Sequence, residues 1–256
     1  MAKLEIERLP LLSDNYAWLL HEPETGTTAI VDPGEAGPVL DRLKALGRKL
    51  DWIICTHHHA DHIGGNDEVQ RATGCKIAGP RADAGRIPNL DVQLAEGDRF
   101  ALGNAEAEVF ETPGHTRGHI SLWFPDSGAL FCADTLFSLG CGRLFEGTPA
   151  EMLTSLRKLA ALPDDTLVCC GHEYTASNAR FALSVDPDNA ALQARAAEVE
   201  RLRAADEPTV PTRLGEEKAA NPFLRADDQA IRKQLGMAEA SDAEVFAEIR
   251  QRKDNF

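Results

Sequence analysis

The segment Thr56-His57-His58-His59-Ala60-Asp61-His62 sets four metal-capable side chains, His57, His59, Asp61 and His62, within six positions. It follows the apolar run Trp52 to Cys55 directly and leads into Gly64-Gly65. A strand ending in a tight loop can aim several imidazoles and a carboxylate at one point. Neutral imidazole and carboxylate are the ligands that zinc, iron and manganese accept. The plainer alternative is a polar surface loop with coincidental histidines, and the density of ligands argues against it.

Three further candidates recur in the same context. His115 follows a strand ending at Glu111, Asp134 follows Leu130 to Ala133, and His172 follows Leu167 to Gly171. Taken singly, each histidine reads as a hydrogen-bonded structural residue and the aspartate as a turn or helix cap. Together with the first motif they read as strand ends converging on one site. One catalytic zinc uses about three protein ligands. Seven candidates therefore suit two metals about 3.5–4 Å apart, with a carboxylate able to bridge.

The rest of the chain predicts an α/β layered domain. Strands are expected at Leu4 to Leu9, Ala17 to His21, Thr28 to Val31, Trp52 to Cys55, Lys76 to Ala78, Glu106 to Glu111, Ile120 to Phe124, Leu130 to Cys132 and Thr166 to Cys170. Pro38 to Leu46 carries a helical rhythm. A second helix is signposted by Thr148 as N-cap, Pro149 in its first turn and Glu151 completing a capping box. After about Tyr174 the signal turns helical, at Asn178 to Leu183, Ala190 to Ala205, Asp227 to Leu235 and Asp242 to Arg252. Ser241 with Glu244 gives another capping box, and Gly236 a C-cap. The expected division is therefore a metal-bearing domain over residues 1–173 and a small helical domain over 174–256.

Composition narrows the partners. A formal net charge of -14 disfavours phosphate backbones and anionic membranes, so neither nucleic acid nor membrane is expected as a partner. It also requires a local basic patch for any anionic substrate. The six cysteines form no CxxC pair and mostly sit in apolar runs, as reduced buried thiols do. No stretch approaches a membrane span or a leader h-region, so the expectation is a cytoplasmic monomer.

The order His-x-His-x-Asp-His, Gly-His, Asp, Gly-His resembles the metallo-β-lactamase superfamily over roughly residues 1–173. That resemblance implies an αβ/βα four-layer sandwich with the metals at one edge. The chain is more specifically similar to the glyoxalase II (hydroxyacylglutathione hydrolase) family. The similarity is carried by Asp14-Asn15-Tyr16, the segment 56–62, Gly140 to Gly147, Gly171 to Thr175, Asn221-Pro222-Phe223 and Arg250 to Asp254. It implies that His57, His59 and His115 hold one metal, that Asp61, His62 and His172 hold the other, and that Asp134 bridges. Zinc is the expected metal, with iron or manganese as alternatives. A metal-bridging hydroxide, oriented by Asp61, would cleave an S-(2-hydroxyacyl)glutathione such as S-D-lactoylglutathione, the second step of methylglyoxal detoxification.

The same similarity assigns Arg143, Phe145, Tyr174, Arg250 and Lys253 to the glutathione moiety. Arg250 and Lys253 lie one helical turn apart and share a face; read without it, they are a basic last turn complementing the helix dipole. Phe145 stands where relatives carry Tyr, and cannot donate that hydroxyl's hydrogen bond. His58 is read as pointing away from the metals, His119 as either orienting a ligand or structural, and His21 as an ordinary strand-end histidine. The rival readings are a zinc β-lactamase, which commonly carries Cys at the position of Asp134, an iron-dependent persulfide dioxygenase with one metal, a nuclease, and a non-catalytic metal-binding module.

Overall fold

The computed structural model describes residues 2–256. The chain divides into two compact units. One is Met1–Thr112 with Gly118–Ala133, and the other is Pro113–Arg117 with Asp134–Phe256.

In the first unit, β1 (Glu5–Leu11), β2 (Asn15–Glu22) and β3 (Thr27–Val31) form an antiparallel meander. The chain then passes through α1 (Gly37–Leu46) into β4 (Trp52–Ile54), and through α2 (Ala60–Ile63) and α3 (Asn66–Thr73) into β5 (Lys76–Pro80). β4, β5 and the short β6 (Val92–Leu94) extend the sheet in parallel, in the order β1-β2-β3-β4-β5-β6. Parallel neighbours need crossover segments, which the helices supply. A second, antiparallel set follows: β7 (Arg99–Leu102), β8 (Ala105–Glu111), β9 (Ile120–Phe124) and β10 (Ala129–Ala133).

β2 is buried along almost its whole length because both its faces are covered. Ala17 and Leu19 join Leu9, Ile30, Ile53 and Ile77 in a core that includes Val39 and Leu43 of α1 and Val69 of α3. Trp18, pointing the other way, meets Phe131 of β10 edge-on at 6.2 Å, and Trp52 meets Phe100 of β7 at 5.2 Å. Each fully buried Leu, Ile or Phe contributes about 1.5–3 kcal/mol.

β1 runs two residues beyond the expected strand, through Pro10. It is an edge strand, where a missing N–H is tolerated. α3 was not expected, since its buried residues are Asn66 and Val69 alone. The short β6 and β7 were not expected either, having too few residues to establish a period.

The second unit opens with a hairpin of β11 (Leu136–Phe137) and β12 (Gly140–Cys141). α4 (Pro149–Ala160) carries the expected capping box: Thr148 N donates to Glu151 Oε2 at 2.7 Å, and Glu151 N to Thr148 Oγ1 at 3.3 Å. β13 (Leu167–Cys170) pairs with the two-residue β14 (Thr212–Arg213). The helices are α5 (Thr175–Val185), α6 (Ala190–Ala204), α7 (Leu214–Ala220), α8 (Gln229–Leu235) and α9 (Asp242–Asp254). Ser241 and Glu244 cap α9 reciprocally, and Gly236 ends α8 at φ 73°. α7 was not expected, since Gly215 and three charged residues hide its apolar face. Leu139, at the tip of the hairpin, packs with Ala179 and Ala182 of α5, Leu192 of α6 and Ala220 of α7.

Candidate metal centre

The histidine-rich loop of the first unit is held from beneath by Asp32. This residue ends β3 in the left-handed region (φ 52°) and is buried. Its Oδ1 accepts from Thr56 N at 2.8 Å and its Oδ2 from Thr56 Oγ1 at 2.7 Å. The Thr56 hydroxyl proton is therefore committed to Asp32, and Thr56 Oγ1 accepts from His57 Nδ1 at 3.0 Å. That fixes the proton of His57 on Nδ1 and turns Nε2 outward as a lone pair. Asp32 Oδ2 also accepts from His62 Nδ1 at 3.1 Å, so His62 likewise presents Nε2. Asp32, His57 and His62 could themselves hold an ion. With both carboxylate oxygens already accepting hydrogen bonds, orientation of the two rings is the better-supported role for Asp32.

His57 Nε2 lies 3.1 Å from His59 Nδ1, and His62 Nε2 lies 3.4 Å from Asp61 Oδ2. Asn15, at the start of β2, donates its amide to Asp61 Oδ2 at 2.9 Å and to Asp61 O at 3.2 Å. Backbone closeness locks the loop: a Cβ on Gly34 would stand 2.0 Å from Asp61 O, and one on Gly64 would stand 2.6 Å from Gly34 O. Only glycine fits such an approach. His119 is fully buried, stacks on His57 at 4.9 Å and 24°, and is held through Nδ1 by Thr112 Oγ1 at 3.0 Å. His58 Nδ1 lies 3.0 Å from Asp83 Oδ2, and His21 Nδ1 lies 2.9 Å from Thr28 Oγ1.

The second unit brings His115, Asp134 and His172 together. Asp134 Oδ2 lies 3.3 Å from Nε2 of His115 and 3.3 Å from Nε2 of His172. His115 Nδ1 donates to Arg143 O at 2.8 Å, which leaves its Nε2 without that proton. A carboxylate oxygen and an imidazole lone pair thus face each other. That arrangement demands either a second ring proton or a cation between them. All three residues are buried. The donor set, neutral imidazoles and carboxylates with oriented second nitrogens, fits a divalent metal in both units.

Around this cluster, Tyr174 stacks on His172 at 4.6 Å and 5°, and Phe145 is exposed with its ring 5.3 Å from His115. Arg250 of α9 is buried: Nη1 donates to Cys141 O at 2.9 Å, Nη2 pairs with Asp254 at 3.0 Å, and the guanidinium lies over Phe223. Arg143 Nε lies 3.3 Å from the same Asp254 oxygen. Lys253 Nζ donates to Ser177 Oγ at 3.0 Å and lies over the rings of Phe181 and Phe256. Burial, then the neighbouring Arg250 and Arg180, lower its pKa to about 8 against the pull of Asp254. All six cysteines are free and buried, and burial pushes Cys141 up to about 11.

The sequence assigns no role to Asp32, Asn15 or Asp254, although the last two lie in the stretches that carry the family resemblance. In the sequence Asp32 opens an Asp-Pro-Gly triplet, an ordinary turn signal. The available signal was its place at a strand end beside the histidine loop, where a ring-orienting carboxylate is needed.

Comparison with known families agrees with this chemistry. The profile of the metallo-beta-lactamase superfamily matches residues 12–172, and that of the hydroxyacylglutathione hydrolase C-terminus matches residues 173–256. A hydroxyacylglutathione hydrolase of Maricaulis maris is 56% identical over 100% of both chains. Those of Ruegeria pomeroyi and Methylococcus capsulatus are 57% and 54% identical over 99% of each chain. Among solved structures, ETHE1 from Myxococcus xanthus matches with a TM-score of 0.69 and 25% identity, covering 96% of this chain and 90% of that one. The BLEG-1 B3 metallo-beta-lactamase matches with a TM-score of 0.66 and 24% identity, covering 86% and 99%, which speaks for the αβ/βα fold alone.

Proposed function

Because the chain belongs to the hydroxyacylglutathione hydrolase family of the metallo-β-lactamase superfamily, we propose that seven of its side chains hold two divalent cations that serve this family's reaction. The protein is a thioester hydrolase that converts S-(2-hydroxyacyl)glutathione to glutathione and a 2-hydroxy acid. In the proposed arrangement His57, His59 and His115 hold one ion, Asp61, His62 and His172 hold the other, and Asp134 bridges. When bound, such cations supply a water of lowered pKa and Lewis-acid polarisation of the carbonyl. We take the ions to be zinc because the donor set is rich in nitrogen.

The protein's own groups supply orientation. Asp32 and Thr56 hold the rings of His57 and His62, and Asn15 holds the carboxylate of Asp61. In this proposal Arg143 and Lys253 meet the carboxylates of glutathione, Tyr174 and Phe145 contact the same moiety, and Arg250 takes part while holding the Cys141 backbone. The leaving thiolate has a conjugate acid of pKa about 8.5, so no side chain has to protonate it in the transition state. The proposal places a monomer in the cytoplasm, where free buried thiols persist. It assigns residues 1–173 to the metal domain and 174–256 to the glutathione-binding helices. Among the described residues no helix is long and apolar enough to cross a membrane.

The observation that carries the metal assignment is the pair of 3.3 Å approaches of Asp134 Oδ2 to two imidazole nitrogens. The test is hydrolysis of S-D-lactoylglutathione, followed by loss of thioester absorbance, with metals counted on the same sample. Asp134→Ala is expected to weaken both metals and abolish turnover. A variant that keeps two metals and a near-normal rate removes the bridging assignment.

A further inference from the structure

The hairpin between β11 and β12 is a buried turn with unusual polar demands. Leu139 sits at φ 56°, a conformation that costs an L-residue about 1 kcal/mol or more and persists only where surroundings impose it. Ser138 and Leu139 are 1% and 0% exposed, so their polar atoms must be satisfied by protein. Asn178 of α5 donates to Ser138 O at 3.1 Å, and two side chains of the α7 end serve the rest of the turn. Glu217 accepts from Ser138 Oγ at 2.9 Å and from Leu139 N at 2.7 Å. Asn221 donates its amide to Phe137 O at 3.1 Å and to Gly140 O at 3.0 Å, and also to Glu217 Oε2 at 3.0 Å. One carboxylate and one amide therefore clamp the donors and acceptors of four consecutive residues, 137–140.

The strand leaving this turn bears on the metal cluster. Gly142 abuts Asp134 so closely that a Cβ there would lie 1.9 Å from Asp134 O, and Arg143 O accepts the Nδ1 proton of His115. Shifting the turn shifts both contacts. We propose that Glu217, with Asn221, is a positioning residue for thioester hydrolysis, holding the 137–143 segment so that Asp134 and His115 keep their mutual geometry. The inference rests on the metal assignment above and deepens it. It places the device in α7, a helix that bears none of the proposed ligands. Glu217 is buried, and burial pushes its carboxyl above the usual range; the donors from Ser138, Leu139 and Asn221 oppose that shift.

Three variants test this. Glu217→Ala removes the clamp. Glu217→Gln keeps it, because its carbonyl can accept from Leu139 N while its amide donates to the Ser138 hydroxyl. Asp186→Ala, which breaks the buried Asp186–Arg225 pair elsewhere in the same unit, is the stability control. Zinc affinity is measured by competition with a chromophoric chelator, alongside Tm of the metal-free protein and kcat on S-D-lactoylglutathione. The expected result is at least tenfold weaker binding of one zinc equivalent and at least tenfold lower kcat in Glu217→Ala, with Glu217→Gln within threefold of wild type. Asp186→Ala should lower Tm and leave zinc affinity within twofold. Should Glu217→Ala fail to fold, Ser138→Ala, which removes one of the clamp's bonds, is expected to show a two- to fivefold loss of the same kind. The inference is overturned if Glu217→Ala, or in its place Ser138→Ala, loses Tm while zinc affinity and kcat stay within twofold. It is equally overturned if Glu217→Gln is as damaged as Glu217→Ala. A wild-type protein that binds fewer than two zinc ions refutes the metal assignment instead.

Discussion

Replacing Gly142 by Ala adds one methyl group where the structure has no room for it. The added Cβ would lie 1.9 Å from Asp134 O and 3.2 Å from His115 Cβ. Carbon and oxygen approach to roughly 3.3 Å in proteins, so about 1.4 Å of displacement must be found. The obstructing atom is backbone, not the end of a flexible side chain, and it belongs to the residue proposed to bridge the metals. Metal–ligand distances tolerate about 0.2 Å, and a misplacement near 1 Å costs about 100-fold in rate. Overpacking of this kind also costs about 1–3 kcal/mol of stability, or a few degrees of Tm in a chain of this size. The expected outcome is a kcat near 1% of wild type, with weakened metal retention and a modest fall in Tm. Gly37→Ala is the matched control: nothing lies within 4 Å of its added Cβ, and its place in the first turn of α1 favours Ala. It should keep full activity and gain up to about 1 kcal/mol. Steady-state kinetics with metal counting on both variants decides the matter. If Gly142→Ala retains two metals and kcat within threefold, the 140–143 segment does not set the geometry of Asp134.

Three further outcomes follow from the cations of α9. Lys253 has its pKa lowered to about 8, so its charge is lost as pH rises through that value. KM should then rise above pH 8 in the wild type, and Lys253→Met should show a higher but flatter KM profile; parallel profiles would exclude Lys253 from substrate binding. The same shift makes the unfolded chain bind the extra proton between about pH 8 and 10.5, so stability should increase with pH over that window in the wild type and not in Lys253→Met. Arg250→Ala should raise KM and also lower Tm, because the guanidinium is buried on Cys141 O and its loss leaves Asp254 without that partner. An unchanged KM would confine Arg250 to a structural role.

What was legible in the sequence was the chemistry of residue types at strand ends. His57, His59, Asp61 and His62 stand out as a group because strand and loop are local, and four metal-capable side chains in six positions have few other uses. The capping boxes at Thr148 and Ser241 were legible for the same reason, since each is closed within four residues. What escaped was the supporting groups, whose roles depend on a distant partner and whose residue types have commoner uses. Asp32 meets Thr56 across 24 residues, Asn15 meets Asp61 across 46, and Glu217 meets Leu139 across 78. In sequence these are a turn aspartate, an asparagine ahead of an expected strand and one acidic residue in a charged stretch with no assigned element. Only the fold turns the last of these into a buried acceptor.

The electrostatics show why such groups matter in a chain of net charge -14. A glutathione thioester is itself anionic, so the acidic surface opposes its approach at long range. That repulsion is screened beyond about 8 Å at physiological ionic strength. Within that distance the second unit gathers Arg143, Arg250 and Lys253 around the single carboxylate of Asp254. The proximity of Arg250 and Arg180 to Lys253 is itself unfavourable, and it contributes to the lowered pKa. An incoming carboxylate relieves that repulsion, so cations forced together in the free protein bind an anion more tightly than the same cations spread over a surface.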